Sequence, residues 1–138
     1  IARFIMIKGL FIFLFISTPV YSMTVDAFIF ADTIIEASNM PNTSLTDKEK
    51  VEASNLNNMI RQNLSGIIDG VLIMNQTNGA EFGVKLICPS GKNIDTEQFK
   101  RQLINFWDSQ PEWKKVKLAK SRLSTLTMAF LIKKYPCP

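Results

Sequence analysis

Residues 46–75 read TDKEKVEASNLNNMIRQNLSGIIDGVLIMN, and this stretch decides the fold class. Thr46 and Glu49 stand three apart at its start. The threonine hydroxyl and the glutamate carboxylate can each take up a backbone donor that the first helical turn leaves orphaned, which is the capping-box pattern. Leu56, Met59, Ile60, Leu64, Ile67, Ile68, Val71 and Leu72 then recur at helical spacing, giving one apolar side over several turns. The prediction is a long amphipathic helix whose stripe must be covered by other elements. Gly66 and Gly70 lie four apart and so share a face. Each costs about 1 kcal/mol relative to alanine in a helix interior. Two readings stay open: another helix approaches them closely, or the pair is tolerated as a local kink. The first makes Gly66 and Gly70 candidate helix-packing positions.

Working upstream, residues 24–39, TVDAFIFADTIIEASN, carry Val25, Phe28, Ile29, Ile34 and Ile35 at mixed helical spacing and predict a first helix. Pro41 and the Asn, Ser and Thr residues of NMPNTSLT break it into a loop. Working downstream, residues 75–93, NQTNGAEFGVKLICPSGKN, are rich in Gly and Asn. They predict an irregular segment with a short extended piece from Val84 to Cys88 and a turn at PSGKN. Asp95 with Gln98 offers a second capping box, and Ile94 with Phe99 fits a hydrophobic staple. Phe99, Leu103, Phe106 and Trp107 form the inner stripe of a third helix. Pro111 ends it and suits the first turn of a fourth, on which Val116, Ala119, Leu123, Leu126, Phe130 and Leu131 share a face. The aromatic residues at these spacings read as core. The expected architecture is all-α, a small four-helix bundle-like domain.

Residues 1–22, IARFIMIKGLFIFLFISTPVYS, put Arg3 and Lys8 before an apolar run and end in Val20, Tyr21 and Ser22. That order describes a secretory signal peptide cut after Ser22. A membrane anchor would need about 20 continuous apolar residues, and Ser17, Thr18 and Pro19 interrupt the run. The domain therefore spans residues 23–138, with no membrane association expected after cleavage. Export sets the reading of the two cysteines, Cys88 and Cys137. In an oxidising compartment an even count reads as a disulfide framework, and two thiols allow one bridge. Closing so long a loop is worth about 4 kcal/mol in the chain-entropy model. A nucleophilic or redox thiol would want a histidine or a Cys-x-x-Cys pair, and the chain has neither. A bridge from the end of the last helix to the loop before the third staples a domain too small to rely on its core alone.

The formal net charge is +4, of which Arg3 and Lys8 leave with the leader. Acids outnumber bases from Met23 to Gly83, whereas Lys114, Lys115, Lys117, Lys120, Arg122, Lys133 and Lys134 make the second half basic. Such an end can attract nucleic acid, anionic lipid or an acidic protein, or be a plain solvated face. For an exported chain nucleic acid is disfavoured.

The segments GIIDGV, CPSGKN, TEQFKRQLINFW, QPEWKKVKLA and YPCP, in that order, resemble the Rap/Tai family of type VI secretion immunity proteins. The similarity runs from about Leu64 to the end. It falls on Gly66 and Gly70, Cys88 with Pro89, Gln98, Pro111 with Glu112, Ala119, and Tyr135, Pro136 and Cys137. Many relatives carry a further cysteine at the end of the first helix, where this chain has none around Ala37. The resemblance implies a helical protein of the periplasm, often a homodimer, that blocks a peptidoglycan amidase effector.

An inhibitor that acts by binding needs a rigid aromatic anchor among polar residues. The Pro111 corner offers one in Gln110, Glu112, Trp113 and Lys114; the competing reading makes Trp113 a cap on the core. The stretch from Asn75 to Gly83 is a second candidate. The alternative function is a periplasmic helical binding module without a toxin partner, similar to acid-stress chaperones, which would have to sense pH through carboxylates because histidine is missing. Enzymatic activity is not expected, nor a cofactor or metal. Asp108 and Glu112 are spaced for one helix face, but Pro111 breaks that helix, and no nucleophile or metal-ligand cluster accompanies them.

Overall fold

The computed structural model of the chain describes residues 23–89 and 93–138. The expected leader, residues 1–22, and part of the PSGKN turn, residues 90–92, lie outside the described residues. The rest is all-α. Among the described residues there are five helices: α1 Val25–Ser38, α2 Asp47–Phe82, α3 Thr96–Asp108, α4 Glu112–Ala119 and α5 Leu123–Lys134. Outside them, extended backbone meets only as isolated bridges, Thr24 with Arg122 and Ile87 with Pro136.

α2 starts as the sequence requires. Glu49 N–H donates to Thr46 Oγ1 at 3.3 Å and Thr46 N–H donates to Glu49 Oε2 at 2.8 Å, closing the capping box. Its buried residues Leu56, Ile60, Leu64 and Ile68 form the central row of the core. Val25, Phe28, Ala31 and Ile35 of α1, Phe99, Leu103 and Trp107 of α3, and Leu123, Leu126 and Leu131 of α5 pack around it, with Met23 and Ile87 from outside the helices. Removing these side chains from water is the main favourable term in folding, worth about 1.5–3 kcal/mol for each large one. Phe130 joins α5 to α3 through its ring, whose centroid lies 5.3 Å from that of Phe99 and 5.2 Å from that of Phe106.

Three expectations change. The segment after Asn75 is helical to Phe82, so α2 runs for 36 residues and the irregular stretch is shorter than its Gly and Asn content suggests. The helix stops at Gly83, whose φ of 68° lies in the left-handed region. Its N–H donates to Gly79 O and the N–H of Val84 to Asn78 O, satisfying the last carbonyls. Second, the expected fourth helix is two. Around Ser121 the backbone leaves the helical ladder to pair with the start of the domain: Val25 N–H donates to Ser121 O and Leu123 N–H to Met23 O, both at 2.9 Å. Pro111 precedes α4 as its cap rather than lying in its first turn. Third, Gly66 and Gly70 are exposed, and a Cβ added at either meets nothing within 4 Å. Among the described residues no element packs against them, so the helix-packing reading does not hold there.

Candidate functional site

The two ends of the second half are joined as the cysteines predict. Cys88 and Cys137 form a disulfide with Cα atoms 4.9 Å apart. Backbone pairing holds the same junction: Cys88 N–H donates to Tyr135 O at 2.8 Å, beside the bridge of Ile87 with Pro136. A polar clamp then ties this junction to α2. Asn75, buried near the end of the long helix, donates from Nδ2 to Ile87 O and accepts at Oδ1 from Leu86 N–H at 2.8 Å and Ile87 N–H at 3.0 Å. The stretch from Asn75 to Gly83 is thus a braced helix end rather than a mobile binding loop.

The Pro111 corner separates the candidate binding residues into two roles. Gln110 turns back, its Nε2 donating to Phe106 O at 3.0 Å and to Ser109 Oγ at 3.3 Å, so it serves the end of α3. Pro111 O accepts from Lys114 N–H and Lys115 N–H, starting α4. Glu112 Oε1 lies 3.4 Å from Lys115 Nζ. Trp113 is 64 % exposed and Val116 72 % exposed, while Leu118 and Ala119 on the other side pack against the core. Trp113 does not cap the core. Its ring instead carries Lys117 Nζ 5.6 Å from its centroid. Lys114 is exposed beside it.

A second polar group was not visible as such in the sequence. Lys100 of α3 is only 3 % exposed, and its Nζ lies 3.1 Å from Asn57 Oδ1 of α2, 3.4 Å from Asp32 Oδ1 of α1 and 3.5 Å from Glu97 Oε1. Glu97 also lies 3.4 Å from Arg61 of α2. Burial raises the pKa of Asp32 above its ordinary value, and the repulsion of Glu36 and Glu97 adds to this, while Lys100 opposes it. The network joins three helices in one place and is internal, so it fits a structural tie better than a site for another molecule.

A recess of about 230 Å³ opens between α2 and the start of α3, lined by Ser65, Asp69 and Thr96 together with Ile68, Leu72 and Ile94. Asp69 is the single carboxylate lining it. Among the described residues no helix is long and apolar enough to cross a membrane.

No protein-family model matches the chain, and no curated protein and no solved structure shows significant similarity to it.

Proposed function

We propose that this chain is an immunity-type protein of the periplasm that binds and inhibits a peptidoglycan amidase effector of type VI secretion. The observation that carries the reading is Trp113. A tryptophan left in water on a short helix whose inner side is packed costs apolar exposure and contributes nothing to the core, which is the condition of an anchor waiting for a partner. The way α4 is held supports the same reading, because Leu118 and Ala119 pack on the core and the backbone bonds of Val25 to Ser121 and of Leu123 to Met23 fix the end of that helix, leaving little freedom to lose on binding. The disulfide also suits export to an oxidising compartment. The order of motifs from Leu64 onward, with Pro111 and Glu112 at the corner, supplies the choice of partner class. A homodimer, as the resemblance implies, belongs to the same proposal.

The test is co-purification of the protein with amidase effectors encoded beside it, followed by peptidoglycan hydrolysis. Inhibition saturating near equimolar protein is expected. Undiminished hydrolysis at large excess of the protein over every such amidase would refute the reading.

A further inference from the structure

We infer that the outward face of α4 docks on an acidic protein surface that carries an apolar recess for the Trp113 indole, an inference that rests on reading the protein as an inhibitor by binding. Trp113, Val116, Lys117 and Lys120 stand at i, i+3, i+4 and i+7 and so form one stripe along the helix. Its two apolar members are the exposed ones named above, and its cations are exposed as well. A solvated face needs no tryptophan and no valine at its centre. A docking face does: the indole supplies a large apolar area at the cost of two rotatable bonds, and Lys117 lying over the ring limits even that freedom.

Charge decides what the face meets. Lys114, Lys117, Lys120 and Arg122 form no ion pair among the described residues, and the one carboxylate of α4, Glu112, is engaged by Lys115. Like charges at helical spacing repel one another, and a partner's carboxylates convert that repulsion into attraction. An anionic bilayer would also attract the lysines. It is the poorer fit, because a helix that lies in the interface sinks a broad apolar face into the headgroups, and this eight-residue helix offers two apolar side chains outward while its other apolar residues are held by the core.

The experiment uses the full chain with Trp107→Phe, which leaves Trp113 as the only tryptophan. Its emission is followed on adding a glutamate–tyrosine copolymer, polyglutamate, or vesicles of phosphatidylglycerol and phosphatidylcholine. The copolymer is expected to shift the emission, with affinity falling roughly tenfold between about 50 and about 300 mM salt. Lys117→Glu with Lys120→Glu is expected to weaken it by a further factor of roughly ten. Polyglutamate, lacking an apolar group, should bind more weakly than the copolymer. No response of Trp113 to the copolymer, or a response indifferent to the charge reversal, overturns the inference. A larger response to vesicles than to copolymer also overturns it and assigns the face to lipid. Because the signal is local, vesicle capture through residues 1–22 does not produce it. If Trp107→Phe fails to fold, the difference between the unmodified chain and Trp113→Phe supplies the same readout. Amidase inhibition that is untouched by the double charge reversal removes the docking face and keeps the inhibitor; copolymer binding without inhibition of any amidase does the reverse.

Discussion

The side chain of Asn75 holds both backbone polar groups of Ile87, twelve residues further along the chain, in the manner of a neighbouring strand. One amide thereby fixes the segment that leads into Cys88 against the end of α2. Removing it would leave the buried N–H and C=O of Ile87 without their partners, each at about 1–3 kcal/mol. Asn75→Leu should therefore lower the unfolding free energy by about 2–4 kcal/mol, measured by urea denaturation with the disulfide intact. A loss below about 0.5 kcal/mol would show the clamp to be incidental.

The disulfide acts on the unfolded chain more than on the folded one. Breaking the link between Cys88 and Cys137, which are 49 residues apart, restores the entropy of a long loop, about 4 kcal/mol in the chain-entropy model. Cys137→Ser should lower the melting temperature by about 10 °C or more. The backbone bridge of Ile87 with Pro136 remains available in that variant, so the helical signal below the transition should persist. An unchanged melting temperature in protein shown to be oxidised beforehand would refute the assignment.

Asp32 gives stability a pH dependence of definite sign. Its folded pKa is raised, mainly by burial, so the folded state binds a proton more tightly than the unfolded state does. Its contribution is then most favourable below the unfolded pKa and declines as pH rises through the folded pKa. Lys100, Glu36 and Glu97 face the same carboxylate and remain in place in Asp32→Asn. That variant should lose the component of stability that grows on mild acidification, and urea melts between about pH 3.5 and pH 7 would reveal it as a flatter profile. Parallel profiles for the two proteins would exclude Asp32 as its source. An acid-triggered client binder requires the opposite, a carboxylate whose protonation loosens the fold, and Asp32 cannot serve as that trigger.

Trp113 separates folding from binding. Being exposed, its replacement by alanine should change unfolding free energy by less than about 0.5 kcal/mol. Loss of a central aromatic anchor should weaken the proposed amidase complex by about 2 kcal/mol, roughly 30-fold in Kd. Titration calorimetry and thermal melts on the same variant decide it; a large stability loss with intact binding would return Trp113 to the core.

The periodic rows of Leu56, Ile60, Leu64 and Ile68 and of Phe99, Leu103 and Trp107 were legible because burial follows helical spacing, and the Thr46 cap because it is local chemistry. The Cys88–Cys137 pairing was legible by count. Lys100 was legible in part: it stands at i, i+3 and i+7 with Leu103 and Trp107, just as Asp32 stands four after Phe28 and one after Ala31, so each apolar stripe contains one charge. That these opposite charges meet is a matter of how α1 crosses α3, which no single stripe encodes. The same holds for Asn75, whose loop-forming chemistry was overridden by two backbone partners from residues 86 and 87, and for the break at Ser121, imposed by Met23 and Val25. Local propensity and periodicity are properties of neighbours in the chain. The exposure of Trp113, the openness around Gly66 and Gly70, and the clamp and the helix break depend on which distant backbone groups come within hydrogen-bonding reach, and only the tertiary structure decides that.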